Sequence, residues 1–184
     1  MKFLREFDEK GHELAKIQGR IFRKSSINGL SSYDFFRVFL NSEQVATMDD
    51  LSFLFMYVSE GEIYYRTRAK IYDIYEPEVI NQYVMEWIGY FLRTFCYLTK
   101  ISSKKAFEII PFSYLKGVYH PYHSLDIRLA VIKVIEDLNI EYNENNTDEL
   151  VEDSNIKNND NELIEDSSNE YNDEKLMRIL SETR

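Results

Sequence analysis

At 184 residues with a formal net charge of −10, the chain has the length of one domain, and its 14 Tyr and 12 Phe supply an aromatic-rich core. Six Gly and three Pro are too few for the many tight turns of a β-sandwich, no apolar run reaches the ~18 residues of a membrane span, and a single cysteine excludes an intrachain disulfide or a Cys-rich zinc module. A mainly α protein, a compact bundle of about six helices, is therefore expected, and because charges interrupt residues 1–10 where a signal peptide would be apolar, its expected compartment is the cytoplasm.

Phe3, Phe7, Leu14, Ile17 and Ile21 recur at helical spacing. They predict a long or kinked first helix, interrupted at Lys10-Gly11 and ending near Lys24, with a turn at Asn28-Gly29. Ser31-Ser32 offers caps for a helix over residues 33–40, and Asp49-Asp50 for another over residues 51–58. Residues 62–75 are rich in Tyr and β-branched side chains that alternate poorly, so a hairpin arm and an irregular helix are both compatible with them. Pro77 suits the first turn of a helix reaching about Lys100. Its stripe of Ile80, Val84, Trp87, Phe91, Phe95 and Leu98 predicts the central helix of the fold. Ser102-Ser103 caps a shorter helix through Ile110, Pro111 breaks it, and residues 112–118 make another turn or two. An aromatic turn, Tyr119-His120-Pro121-Tyr122-His123, follows, and Ser124 caps the last body helix with Ile127, Val131, Val134, Ile135 and Leu138 inward.

The charge is unevenly placed. Residues 1–140 hold 18 basic and 18 acidic side chains, whereas residues 141–184 hold 4 and 14, so the tail carries the whole imbalance. Residues 1–140 then read as the helical domain, and residues 141–172, built from Asn, Asp, Glu and Ser, as an acidic flexible linker. Residues 173–184 read as a short amphipathic helix, acids first and bases later, with Leu176, Ile179 and Leu180 on one face.

Enzyme chemistry has little support in the pattern. The chain has no glycine-rich phosphate loop, no Gly-x-Ser-x-Gly elbow and no His-Glu-x-x-His. None of His12, His120 and His123 follows an Arg at the five-residue spacing of helical toxin ribonucleases. No catalytic residue, cofactor or metal is expected. His120, His123 and Asp126 bring two imidazoles and a carboxylate close together, but Pro121 disfavours a regular helix and a fourth ligand is missing. The preferred reading is an aromatic hinge in which His123 bonds to the backbone or to Asp126. Trp87, Tyr90, Arg93 and Tyr97 lie three or four residues apart. Arg93 there either pairs with a carboxylate in a pocket or, the favoured reading, belongs to a helix flank packed on its neighbours. Lys16, Arg20, Arg23 and Lys24 form a basic stripe for which nucleic acid and the chain's own tail compete as partners. Residues 102–117 make a poor helix-turn-helix, with Pro111 in the turn and only Lys116 on the second helix, so direct nucleic-acid contact is not expected.

The segments Glu86-Trp87-Ile88-Gly89-Tyr90, Arg93 with Tyr97, Ser102-Ser103-Lys104, and Tyr119-His120-Pro121-Tyr122-His123-Ser124-Leu125-Asp126 with Ala130 and Ile132 resemble a family of small uncharacterised proteins of low-GC Gram-positive bacteria and their mobile elements. The likeness covers residues 86–135. Ser124 stands where that family prefers Thr, Thr94 where it prefers an aromatic, and the acidic tail is additional. The resemblance implies an antitoxin-type or host-defence interaction protein and brings no catalytic residue. The expectation is thus a non-enzymatic protein-interaction module whose partner is a toxin or defence component, with no membrane association. Its expected contacts are Trp87, Tyr90, Arg93, Tyr119, Tyr122, His123, Asp126, Leu176 and Ile179. Two alternatives stand beside it: an acidic-tail mimic of nucleic acid, and a small enzyme with a pocket around Arg93, Tyr122 and His123.

Overall fold

The computed structural model describes residues 4–142, and these are mainly α, with eight α-helices and one 3₁₀ turn. The expectations for a tail linker and a C-terminal helix, Leu176 and Ile179 included, lie outside the described residues. No described helix is long and apolar enough to cross a membrane.

The first helix, α1 (Glu9–Ile27), starts six residues later than the Phe3 periodicity suggests. Asp8 caps it by accepting the Gly11 N–H at 3.0 Å, and the chain before it lies extended, with the Arg5 N–H on the Leu98 carbonyl at 2.9 Å. Phe7 is apolar because it packs on His12 and Tyr97, not because it continues the helix. The helix overruns Lys24 by almost one turn, ends at Asn28, and reverses through Gly29 at φ +68° as the Asn-Gly pair requires.

Ser31 caps α2 (Ser32–Leu40) as expected. The next expectation fails. Ser42 opens α3 (Glu43–Asp49), so Asp49 ends a helix instead of starting one. After it, Leu51 takes φ +66° and residues 51–58 form only a 3₁₀ turn (Ser52–Phe55). Within the open stretch 62–75, the first part is helical: α4 (Glu60–Arg68) is capped by Ser59 and buries Ile63 and Tyr64.

The central helix is α5 (Gln82–Thr99), capped by Asn81 and starting five residues after the expected point. Pro77 lies instead in an extended strap over residues 71–80. Its backbone is tied to the α1–α2 junction, with the Ser32 N–H on the Glu78 carbonyl at 2.9 Å and the Ser26 hydroxyl on the Ile80 carbonyl at 2.6 Å. Those bonds outcompete a further helical turn, because the strap's backbone groups have partners already in place. Ile88, Phe91, Leu92 and Phe95 of α5 are fully buried, whereas Val79 and Tyr83 are exposed. The α5 axis lies close along α1: a Cβ on Gly89 would stand 2.8 Å from the Gln18 carbonyl and from Phe22, so only hydrogen fits.

Ser102 caps α6 (Ser103–Ile109), and Pro111 precedes α7 (Phe112–Tyr122). The aromatic turn expected at residues 119–123 is the last turn of α7, with Pro121 inside it. Proline is tolerated so near the end, where the lost amide bond and the ring's clash disturb a single turn. Asp126, not Ser124, caps α8 (Ile127–Asp137), accepting the Arg128 N–H at 2.9 Å.

Candidate interaction surface

Arg93 lies inside the bundle, 1% exposed. Its Nε donates to Gln18 Oε1 at 3.0 Å, its Nη1 to Asp49 Oδ1 at 2.6 Å, and its Nη2 to the Ser103 hydroxyl. Asp49 in turn accepts the Ser103 N–H at 2.8 Å and the Ser103 hydroxyl at 2.8 Å. One guanidinium thus joins α1, α3, α5 and α6, each of its three nitrogens donating to a group that no spacing rule connects. Desolvation of the charge is compensated by a carboxylate that keeps 20% of its side-chain surface in water. Cys96 Sγ, 3.8 Å from the Ser103 hydroxyl, is pushed up to about 12 by burial and is a packing thiol, not a nucleophile. Sequence spacing does not reveal Asp49, Ser103 and Gln18 as partners. Asp49 and Ser103 each look like a local cap, and they lie 44 and 10 residues from Arg93.

The other expected contacts divide. Trp87 meets Tyr119 edge-on at 5.7 Å, and Tyr119 stacks on His123 at 4.8 Å, so these three form one continuous aromatic row from α5 to the end of α7. His123 Nδ1 sits 3.0 Å from the carbonyls of both Tyr119 and His120, which realises the backbone half of the expected hinge. Tyr90 pairs with His12 of α1 at 3.1 Å, and its phenol is raised by burial and by the Asp126 charge. The Asp126 carboxyl is held below its usual range by Arg128. Tyr122 turns away. It donates to Asp137 Oδ2 at 2.6 Å beside Tyr114 at 2.7 Å, and these two phenols lower the Asp137 carboxyl. Arg93, Tyr122 and His123, the residues of the enzyme alternative, are each bonded to a different set of groups. Among the described residues no cluster of His, Cys, Asp and Glu has the make-up of a metal site.

The basic stripe of α1 is largely engaged by the body. Arg20 binds Glu60 and lies 3.7 Å from Glu13, Arg23 reaches Glu86 at 3.3 Å, and Lys24 stands 4.9 Å from the Tyr64 ring. Among the described residues, only Lys16 of the four has no such partner drawn from α4 or α5.

Large apolar side chains are exposed in two segments outside the α-helices, one expected from the sequence as a helix over residues 51–58 and one overlapping the Tyr-rich stretch 62–75. Phe55, which ends the 3₁₀ turn, and Met56 and Tyr57 after it are 83%, 46% and 106% exposed, and Tyr72, Ile74 and Tyr75 of the strap 84%, 67% and 65%. Helical periodicity has no purchase on segments that are not helices. Beside the strap a cleft of about 230 Å³ opens between α2, α6 and α7, lined by Tyr33, Phe36, Phe107 and Phe112 with Glu76 and Lys116. No family model, no curated protein and no solved structure matches the chain.

Proposed function

We propose that this chain is a non-enzymatic protein-interaction module of the antitoxin or host-defence type. The observation that carries the reading is the exposed run Phe55-Met56-Tyr57, projected from a body whose other described Phe side chains are buried or packed against the core. Exposed aromatic residues are frequent anchors of a protein interface, because each removes a large apolar area from solvent on binding. The row Trp87-Tyr119-His123 is a secondary contact in this reading. The partner proposed is a toxin or defence component, as the resemblance suggested by the sequence of residues 86–135 implies.

The test is recovery of a partner with the full chain from its native cells, followed by binding of that purified partner to the variant Phe55→Ser/Tyr57→Ser. These side chains are exposed, so the unfolding free energy should stay within about 0.5 kcal/mol of the parent while affinity falls at least ten-fold. A partner that binds the double variant as well as the parent would remove the proposal's main support. The acidic tail favours a second reading, mimicry of nucleic acid toward a basic groove, because residues 141–184 carry the entire net charge.

A further inference from the structure

The cleft beside the strap combines features that the helical periodicity does not explain. Phe36 and Phe112 have ring centroids 5.0 Å apart, Phe107 lies 5.5 Å from Phe36, and Tyr33 lies 6.0 Å from Phe112. Its volume of about 230 Å³ is below that of a drug-sized ligand pocket and matches one long side chain. The strap beside this lining is acidic. Residues 71–80 contain Asp73, Glu76 and Glu78 and no Lys or Arg. Lys116, the single cation lining the cleft, is already bound by Glu78, whereas the Glu76 carboxylate on the wall has no partner among the described residues.

The strap is also fixed in advance. Asp34 accepts the Tyr75 N–H at 3.0 Å and the Glu76 N–H at 3.4 Å, and Arg37 stands 4.6 Å over the Tyr75 ring. A ligand meeting residues 75–80 therefore meets a backbone that is already ordered, which reduces the entropy lost on binding.

We infer that this cleft seats an arginine or lysine side chain of a basic protein segment, and that the strap is the acidic surface on which the rest of that segment lies. This deepens the interaction reading above and rests on it. Phe36 and Phe112 are buried beneath the cleft, and the partly exposed rings of Tyr33 and Phe107 are the ones that attract a cation through their quadrupole and stack on a planar guanidinium, with Glu76 as the opposite charge at the rim. An acidic segment is repelled by Asp73 and Glu76, and a purely apolar one would leave Glu76 facing a dehydrated contact.

The experiment is a residue-resolved NMR titration of the isotope-labelled full chain with acetyl-(Leu-Arg)₄-amide, with acetyl-(Leu-Glu)₄-amide as control. The expected result is saturable shifts of the amides of Glu76, Phe107 and Ser113 with the arginine peptide only. Asp73→Asn/Glu76→Gln should weaken that binding about five-fold or more, with an unchanged unfolding midpoint, since both side chains are exposed. Shifts confined to residues 141–184 or to residues 55–57, or equal affinity in the double variant, would overturn the cleft assignment. If the native partner still bound the full chain in those cases, the interaction reading would stand and only this site would fall.

Discussion

Arg93 is held by three side chains from three other helices, which makes it sensitive to substitution in a way that a surface arginine is not. Arg93→Met should cost about 3–5 kcal/mol in chemical denaturation, mostly because Asp49 and Gln18 keep their desolvation after losing their donor. The double variant Arg93→Met/Asp49→Leu should be less destabilised than the sum of the single changes, since an apolar pair leaves no orphaned charge. Strict additivity would mean that the pair contributes through packing alone. Asp34 gives the second prediction at this scale. Burial by itself would raise its carboxyl, but bonds from Ser31, the Tyr75 N–H, Arg37 and the Glu76 N–H outweigh that and hold it below its usual value. A carboxyl lowered in the folded state contributes stability that is complete above about pH 4 and is lost as the pH falls through the folded value. Asp34→Asn should therefore lower the melting temperature near neutrality, with the gap from the parent closing below about pH 4. A gap of constant size down to about pH 2 would show that its charge is irrelevant.

Between elements, the α1–α5 contact depends on a missing side chain. Gly89→Ala places a methyl 2.8 Å from the Gln18 carbonyl and from Phe22, and neither the backbone nor a buried ring yields easily. It should cost about 1–3 kcal/mol and loosen the Gln18–Arg93 bond, because Gln18 rides on the displaced turn. Gly117→Ala on α7 is the control. Nothing lies within 4 Å of a Cβ there, so the change should stabilise by about 0.5–1 kcal/mol through helix propensity alone. Equal effects at the two glycines, measured by thermal unfolding, would refute close packing as the reason for Gly89. At the other edge, α7 and α8 are joined by Tyr114 and Tyr122 on the single carboxylate of Asp137, which fixes the end of the aromatic row.

For the whole molecule, the net charge lies in one stretch of the sequence. Residues 1–140 are balanced, and residues 141–184 carry −10. The two readings of function therefore separate by salt. Binding through residues 55–57 should change little between about 0.05 and 0.5 M salt, on the order of two-fold, whereas binding through the tail should weaken by a factor of about 10² or more. Calorimetric titration of the purified partner against the full chain at several salt concentrations reads the difference directly, and a steep slope would move recognition from residues 55–57 to an acidic surface, the tail or the strap.

Local chemistry accounts for the part of the fold that is legible in the sequence. The helical class, the caps at Ser31 and Ser102, the turn at Asn28-Gly29 and the break at Pro111 follow from side chains acting on backbone within a few residues. The misplacements share one cause, competition from distant partners. By its neighbours in sequence Asp49 would cap a helix of its own, yet its carboxylate serves Arg93 and Ser103. Pro77 would open α5, yet the strap's amides and carbonyls are claimed by α1 and α2. The same limit applies to the candidate site. Trp87, Tyr119 and His123 stand out in the sequence and do form one row, and Arg93 stands out too, whereas its partners, the cleft and the exposure of residues 55–57 leave no mark in the pattern. Burial and long-range pairing are properties of the packed chain: a capping serine acts on an amide three residues away, but Arg93 meets Asp49 only after α3, α5 and α6 have packed around them.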